Sequence, residues 1–329
     1  MKAVLRVSIG LFLTVFGIAL VGCRQSSEPT EAEAYLDKVG TAALLITRNG
    51  EEIFSCGDTA RKYPCHSIRK PFLGALYGIG VDEGLIDPDA TLEELGIDDR
   101  PPVLTDAEKR ATLRDLLASR SGVYHEAAGE APSMVAARPD RGSRDPGEHF
   151  YYNNWDFNVL GTVYRELTGR CIFRAFEEEI AEPIGMQDFV YTDGVYSYER
   201  EKSRHPAYFF RMSTRDMARF GRLYGEYGRW EGRRIVPEDW IRESTTLEPL
   251  PGQSGDPYGY LWRIIPKEDP WGPGFYHTGS GVHALIVLPE RNLVLVHRVD
   301  TEAPYDITWT EIRIGMELAL AEAVGTGAP

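Results

Sequence analysis

The stretch Cys65–Phe72, CHSIRKPF, places a serine and a lysine three residues apart. Positions three apart on a helix share one face, so the Lys70 amine can reach the Ser67 hydroxyl. A serine hydroxyl needs an adjacent base to act as a nucleophile, and a lysine can be that base if burial lowers its pKa. We therefore interpret Ser67 as a nucleophile and Lys70 as its proton acceptor. A chance S-x-x-K on a surface helix is the alternative.

The helix that carries this pair is predicted to run from about Ser67 to Glu83. At its N-terminus, the helix dipole and the free backbone N–H groups would face a developing oxyanion. Pro71 fits this placement, because a proline in the first turn leaves no intrahelical hydrogen bond unmade. His66, which precedes the serine, is interpreted as a structural histidine.

A second segment, His149–Gly161, has the sequence HFYYNNWDFNVLG and places Tyr152 and Asn154 in a loop ahead of an apolar helix. A tyrosine beside the Ser-Lys pair can relay a proton to a leaving group. An asparagine amide can hydrogen-bond the lysine or a substrate amide. Both side chains are therefore candidates for the same site.

A third segment, Phe275–Gly281, has the sequence FYHTGSG and is predicted to lie on a strand. Gly279 would let a substrate backbone approach the edge of that strand. The backbone N–H of Ser280 can be a second oxyanion donor beside that of Ser67.

Strand-like sequence lies at both ends of the chain. A hairpin is predicted around Asn49-Gly50, the strongest short turn signal, and four more strand-like runs lie between residues 258 and 299. A mostly helical stretch over about residues 85–200 separates them, and a last helix follows. This order predicts an α+β fold with one sheet built from distant segments, a helical lobe, and a site in the cleft between the two parts.

The motifs S-x-x-K, Y-x-N and H-T-G, in this order, resemble those of the serine β-lactamase and penicillin-binding-protein superfamily. The sequence is most similar to the class C-type serine hydrolases, which include esterases, D,D-carboxypeptidases, D-aminopeptidases and aminohexanoate-oligomer amidases. TLRDLLASRSGV and YYNNWDFNVLGTVYRELTG are similar to further family segments, so the resemblance covers about Thr41 to Val299. It implies a β-lactamase/transpeptidase-like fold, an antiparallel sheet flanked by helices plus a mostly helical lobe.

The resemblance also implies a role for each motif residue. Ser67 would be acylated, Lys70 would act as the base, and Tyr152 would shuttle the proton. The residues that would bind the substrate or its oxyanion are Asn154, His277, Gly279 and Ser280. Neither a cofactor nor a metal is implied.

Two positions depart from the family pattern. His277 stands where many β-lactamases carry a lysine whose fixed charge binds the substrate carboxylate, and a histidine is mostly neutral near pH 7. This difference favours neutral ester or amide substrates. Asn153 fills a position that a serine usually holds, and the sequence gives no reason for the change.

We therefore predict a serine hydrolase that cleaves an ester or amide bond of a small molecule or peptide through an acyl-enzyme on Ser67. A D,D-carboxypeptidase or a weak β-lactamase is the alternative among enzymes. A penicillin-binding sensor that turns over slowly is the alternative outside enzymes. The formal charge of -14 argues against a nucleic-acid partner, because phosphate binding needs a basic surface. The chain is predicted to be a monomer.

The N-terminus predicts export and lipidation. The apolar run Val7–Leu20 follows a basic start, which is typical of a signal peptide and too short for a convincing membrane span. Leu20–Cys23, LVGC, resembles the lipobox of bacterial lipoproteins, which implies that Cys23 is lipidated. We predict a signal peptide over residues 1–22, a tether over residues 23–30 and a single domain over 31–329. The protein would be lipid-anchored in the cell envelope, in the outer membrane facing the periplasm.

Three further cysteines remain. Cys56 and Cys65 could form a disulfide outside the cytoplasm or remain free thiols, and the sequence leaves both possibilities open. Cys171 is predicted to be a core residue.

Overall fold

The computed structural model describes residues 28–246, 249–250, 255 and 257–325. Its helices and strands follow one another in this order: α1 (Glu31–Lys38), β1 (Ala43–Arg48), β2 (Glu51–Gly57), β3 (Lys62–Pro64), α2 (Arg69–Asp82), α3 (Leu113–Leu117), α4 (Pro132–Ala137), α5 (Asn154–Thr168), α6 (Ile172–Phe176), β4 (Gly194–Ser197), β5 (Ala207–Ser213), α7 (Thr214–Gly225), β6 (Arg229–Trp230), β7 (Arg233–Arg234), α8 (Glu238–Thr245), β8 (Arg263–Ile265), β9 (Gly274–Gly279), β10 (His283–Leu288), β11 (Leu293–Arg298) and α9 (Trp309–Val324).

Six strands form the main antiparallel sheet, in the spatial order β2-β1-β11-β10-β9-β8. β1 and β2 form the predicted hairpin, and the loop residues Asn49 and Gly50 have φ angles of 54° and 79°. These left-handed angles are the ones that a two-residue type I′ turn requires. β1 also pairs with β11, where Leu44 lies opposite His297. The prediction of one sheet built from distant segments is therefore confirmed.

Helices cover both faces of this sheet. α7 packs against β1, β10 and β11 on one face, whereas α1 and α9 cover the other. Every residue of β10 and β11 is buried as a result. This double cover explains why HALIVL and LVLVHR are largely apolar runs and do not alternate between apolar and polar residues.

The mostly helical stretch predicted over about residues 85–200 contains α3 to α6, with only the short strand β4 at its end. β4 joins a second sheet in the order β3-β5-β4. Because β5 contacts both α2 and α5, this small sheet connects the helical lobe to the rest of the protein. The α+β class predicted from the sequence is confirmed.

α2 passes through the centre of the protein and is buried on almost every side, with Phe72, Leu73 and Tyr77 fully enclosed. Burial of such side chains stabilises the fold by about 1.5–3 kcal/mol each. At Gly78 an added Cβ would lie 2.3 Å from Cδ1 of Trp240, so only glycine fits beside that ring. The segment that precedes α2 is therefore attached to a rigid element.

The cysteines of the described part of the chain, Cys56, Cys65 and Cys171, are free thiols. Cys56 and Cys65, for which the sequence allowed either a disulfide or free thiols, are therefore not bonded to each other. The prediction of a core position for Cys171 is wrong, because this residue is exposed. Cys171 directly precedes α6 and lies at the surface. Burial begins at the next residue, Ile172.

The predicted signal peptide and Cys23 lie outside the described residues. Residues 28–30, the end of the predicted tether, are exposed and lead into α1. Among the helices of the described ranges, none combines the length and the apolar character needed to cross a membrane.

Candidate active site

Ser67 lies in a single 3₁₀ turn, His66–Ile68, immediately before α2. The turn is fixed by backbone bonds on both sides: Cys65 N–H donates to the Phe210 carbonyl at 2.8 Å, and Ile68 N–H donates to the Cys65 carbonyl at 3.0 Å. Ser67 itself is half-buried, so its hydroxyl is held in place without being closed off. The predicted position at a helix N-terminus is confirmed.

Lys70, in contrast, is fully buried. Its Nζ lies 2.9 Å from the Ser67 Oγ and over the rings of Tyr152 and Phe157, 4.6 and 4.5 Å from their centres. Burial holds the Lys70 pKa well below its usual value, and the nearby charges of two arginines lower it further. This lowering favours the neutral amine, the state in which a lysine can accept a proton.

Tyr152 ends the loop that leads into α5, and its hydroxyl is hydrogen-bonded to the Ser67 side chain. Its ring is packed against those of Phe157, Tyr258 and His277, with centres 5.0, 5.8 and 6.3 Å away. Burial raises the pKa of Tyr152, although the bond to Ser67 and nearby positive charges oppose this. The side chain is thus a neutral phenol that can donate its proton.

Asn153 holds Tyr152 in place from the next position in the chain. Its Oδ1 accepts the Trp155 N–H at 3.0 Å, which makes Asn153 the N-cap of α5. Its Nδ2 donates to the Val123 carbonyl at 2.6 Å and to Asp156 Oδ1 at 2.9 Å. A serine could cap the helix but has a single hydroxyl hydrogen, so it could not make both donor bonds. The structure thus gives a reason for the departure from the family pattern.

Asp156 is a fully buried carboxyl in this network. Its Oδ1 accepts from Ser121 Oγ at 2.6 Å as well as from Asn153. Burial nevertheless raises the Asp156 pKa well above its usual range, because these bonds only partly offset the loss of water. The fold therefore favours the neutral acid at this position.

Asn154 is the first residue of α5 and is buried. Its Nδ2 donates to the Gly129 carbonyl at 2.7 Å, while its Oδ1 has no protein partner among the described residues. The described contacts include no hydrogen bond from Asn154 to Lys70. The implied role in orienting the lysine stays a prediction, and the unpaired Oδ1 is the atom available for it.

His277 lies on β9, where burial alternates so that Phe275, His277 and Gly279 face the interior. Its Nδ1 donates to the Thr278 carbonyl at 2.9 Å, which leaves Nε2 as a buried acceptor without a partner in the described structure. Burial and the nearby Lys70 and Arg263 hold the His277 pKa well below its usual value. The ring is neutral, so His277 cannot supply the fixed charge of a lysine.

Gly279 permits a close contact that the sequence did not reveal. An added Cβ would lie 2.9 Å from the Cys65 carbonyl oxygen and 3.1 Å from His66 Cβ. The glycine therefore lets β9 approach the turn of the nucleophile, whereas the sequence analysis assigned it to substrate approach. Ser280 is exposed directly after β9. The two predicted oxyanion donors, the N–H groups of Ser67 and Ser280, lie on segments that are in contact.

Two arginines near the site were missed by the sequence analysis. The Arg69 guanidinium is almost fully buried, with its carbon 5.0 Å from the Tyr208 ring centre and 4.7 Å from that of Phe209. The Arg263 guanidinium lies 5.4 Å from the Tyr152 ring centre. Arg69 is inside S-x-x-K and Arg263 inside a strand-like run, but neither residue type at these positions signals a site. Only the folded structure brings both charges beside Lys70.

The site thus combines a half-buried hydroxyl with a buried amine and a neutral phenol, each within hydrogen-bonding reach of that hydroxyl. Such a set can deprotonate an alcohol, hold the proton and return it to a leaving group. Comparison with known proteins gives a family and a fold. The family model for Beta-lactamase matches residues 31–308.

Several solved structures share the architecture. A proposed 6-aminohexanoate-dimer hydrolase from Bacillus anthracis is similar with a TM-score of 0.67 and 22% identity, over 88% of this chain and 80% of the other. An octameric penicillin-binding protein homologue from Pyrococcus abyssi gives a TM-score of 0.62 and 17% identity, over 88% and 74%. A beta-lactamase from Mycobacterium bovis gives 0.61 and 21% identity, over 89% and 99%. At these identities the likeness shows the fold alone.

Proposed function

Because the chain belongs to the beta-lactamase family, we propose that it is a serine hydrolase that forms an acyl-enzyme on Ser67 and cleaves an ester or amide bond. The observation that carries the proposal is the distance of 2.9 Å between the Ser67 hydroxyl and a buried Lys70 amine whose pKa is held well below its usual value. A lysine that served only structure would be expected to pair with a carboxylate or to reach water.

In the proposed acylation, Lys70 takes the Ser67 proton as Oγ attacks the substrate carbonyl. The backbone N–H groups of Ser67 and Ser280 stabilise the tetrahedral oxyanion. Tyr152, hydrogen-bonded to Ser67, passes a proton to the departing alcohol or amine and regains it from Lys70. Water then attacks the acyl-enzyme, and the same groups transfer protons in the opposite direction.

Asn154 and His277 are proposed to bind the substrate. Asn154 Oδ1 and His277 Nε2 are buried acceptors that lack a protein donor in the described residues. Unpaired buried acceptors are costly, so a substrate N–H or O–H that reached them would be bound with a gain of about 1–3 kcal/mol each. An amide substrate offers such donors more readily than a simple ester.

The alternative of a D,D-carboxypeptidase has one observation in its favour. Arg263 forms no ion pair with a described carboxylate, and its guanidinium lies over the Tyr152 ring. A fixed positive charge at this place suits a substrate with a free carboxylate next to the scissile bond. A neutral His277 removes the second charge that many β-lactamases use, so hydrolysis of β-lactams is expected to be slow.

The experiment that tests the proposal is a substrate panel with time-resolved mass spectrometry. The panel contains p-nitrophenyl esters, D-amino-acid amides, D-Ala-D-Ala peptides and nitrocefin, each with the wild type and Ser67→Ala. We expect a transient acyl adduct on Ser67 that clears with turnover, and no hydrolysis by the variant. An adduct that persists without turnover would support a penicillin-binding sensor, and wild-type turnover by Ser67→Ala would exclude the serine mechanism.

The cellular location is a separate proposal that rests on the N-terminal sequence. Cleavage before Cys23 and lipidation of its thiol would anchor the domain in the outer membrane through a short polar tether. Mass spectrometry of the mature N-terminus tests this. We expect a diacylated Cys23, and Cys23→Ser should release the protein into the soluble envelope fraction.

A further inference from the structure

Arg298, the last residue of β11, is a fully buried cation. A guanidinium has five N–H donors, and here each one has an acceptor. The five acceptors are His283 Nδ1 at 2.9 Å, the Met212 carbonyl at 3.1 Å, Met217 Sδ at 3.8 Å, the Tyr63 carbonyl at 3.0 Å and the Pro64 carbonyl at 2.9 Å. Each of these groups is neutral. A buried charge with only neutral partners is expensive to desolvate, which argues for a role beyond filling space.

Two of these bonds hold the backbone that leads to the nucleophile. Nη2 binds the carbonyls of both Tyr63 and Pro64, the last residues of β3. The next residue, Cys65, begins the turn that carries Ser67, and its thiol also lies beside the guanidinium. Because one rigid planar fork binds both carbonyls, it fixes the chain at the entry to this turn relative to β11.

His283, the first residue of β10, extends this contact to the other side of the turn. Its Nδ1 accepts from Arg298, and burial together with the Arg298 charge keeps its pKa far below the usual value, so the ring is neutral. The ring centre lies 5.2 Å from that of His66. His66 directly precedes Ser67, and its Nε2 lies 2.8 Å from Thr301 Oγ1.

His66 needs such support because its backbone is strained. Its φ of 47° lies in the left-handed region, which residues with a side chain seldom adopt. The strained turn places Ser67 directly before α2 and His66 against Gly279 of β9. Contacts that hold the turn from both ends maintain this conformation.

We propose that Arg298 is a positioning residue for the acylation of Ser67, acting through the Tyr63–Pro64 backbone and through His283. The inference rests on the proposed function, since it assigns these residues a part in the reactivity of Ser67. A displacement of about 1 Å in a reacting group can lower a rate about 100-fold. Substrate binding along β9 does not depend on these bonds, so kcat falls while KM stays nearly constant.

The test compares His283→Leu with His283→Asn. The Asn Oδ1 can accept from Arg298 as Nδ1 does, whereas leucine cannot. The main readout is the rate at which a fluorophosphonate labels Ser67, a reaction in which Oγ bonds to phosphorus, fluoride leaves and Lys70 takes the proton. We expect His283→Leu to lower this rate and kcat at least about tenfold with KM within about twofold, and His283→Asn to keep about half of the wild-type rate or more.

His297→Leu is the matched control. His297 is also a buried histidine, and it bonds the Val282 carbonyl at 3.0 Å and Thr41 Oγ1 at 3.1 Å on the opposite face of the sheet. His297→Leu should lose about as much thermal stability as His283→Leu, but the fluorophosphonate should label it at the wild-type rate. Equal loss of labelling in both leucine variants, or wild-type labelling in His283→Leu, would overturn the inference.

Thr301→Val and Arg298→Lys keep the test decisive if His283→Leu does not fold. Thr301→Val removes only the bond to His66, and Arg298→Lys keeps the charge without the fork. Both are expected to label several-fold more slowly than the wild type at an unchanged KM, and wild-type rates in both would reject the proposal. Labelling is independent of the natural substrate. A wild type that is labelled yet hydrolyses nothing would therefore contradict the proposed function, while the labelling rates of the variants would still decide this inference.

Discussion

The Lys70 amine lies 4.6 Å from the centre of the Tyr152 ring, in a position closed to water. An aromatic face attracts an ammonium by about 0.5–2 kcal/mol. Complete burial and the charges of Arg69 and Arg263 act in the opposite direction and are stronger, because the Lys70 pKa is held well below its usual value. The fold therefore favours the neutral amine beside Ser67.

Removal of this amine should abolish catalysis without loss of stability. We expect Lys70→Met to lower kcat/KM by about 100- to 10,000-fold, the usual contribution of a general base. Its melting temperature at neutral pH should equal or exceed that of the wild type, because methionine carries no polar group to desolvate. Enzyme kinetics and thermal unfolding measure the two effects. Lys202→Met, at a half-buried lysine paired with Glu199, is the control and should change neither.

The pH dependence of kcat/KM should change when the charge of Arg69 is removed. Activity requires neutral Lys70, so kcat/KM falls as the pH drops through the lowered pKa of that amine. Arg69→Met removes an adjacent cation, raises the Lys70 pKa towards its usual value and moves the acid limb of the profile to higher pH. Arg170→Gln, which removes a half-buried charge paired with Glu178 and Glu179, should leave the limb in place. An unmoved limb in Arg69→Met would show that the Arg69 charge does not contribute to the lowered Lys70 pKa.

Asn153→Ser restores the residue usual in the family but should harm this protein. Serine keeps the cap of α5 and loses the two donor bonds to the Val123 carbonyl and Asp156. We expect a loss of about 1–3 kcal/mol in the free energy of unfolding, measured in urea, and a lower kcat as Tyr152 loosens. Asn153→Asp also keeps the oxygen that accepts the Trp155 N–H, but its carboxylate cannot donate a hydrogen bond. It should therefore be no more stable and no more active than Asn153→Ser. A fully stable, fully active Asn153→Ser would refute the positioning role.

Asp156 should make stability depend on pH in a direction opposite to that of most carboxylates. Its folded pKa is raised, so the wild type binds a proton that the unfolded chain releases above the ordinary pKa. Stability from this group is complete in acid and declines as the pH rises towards the folded pKa. We therefore expect the melting temperature of Asp156→Asn, relative to the wild type, to be higher at pH 8 than at pH 4. A pH-independent difference would mean that the Asp156 pKa is the same in the folded and unfolded chain.

The sequence was sufficient for the elements that follow from local patterns. The Asn49-Gly50 turn, the helix after Ser67 and the α+β class are all present. Residues that act through distant contacts were not predictable. Arg298 looks like the end of an ordinary apolar strand, and its five acceptors come from four other parts of the chain.

Other differences have the same origin. The close approach of Gly279 to the Cys65 carbonyl depends on how β9 meets the turn of the nucleophile. Asn153 has a visible purpose only once Val123 and Asp156 are beside it. The roles of Ser67, Lys70 and Tyr152 remain predictions that kinetics must test, although the three side chains do lie together.

The pairing of β1 with β11 joins the two ends of the chain at the middle of the main sheet. During synthesis, almost the whole polypeptide must leave the ribosome before β1 and β11 can pair. Closing so large a loop is entropically costly, and such non-local contacts form slowly. The main sheet therefore cannot be completed until translation of the chain is nearly finished.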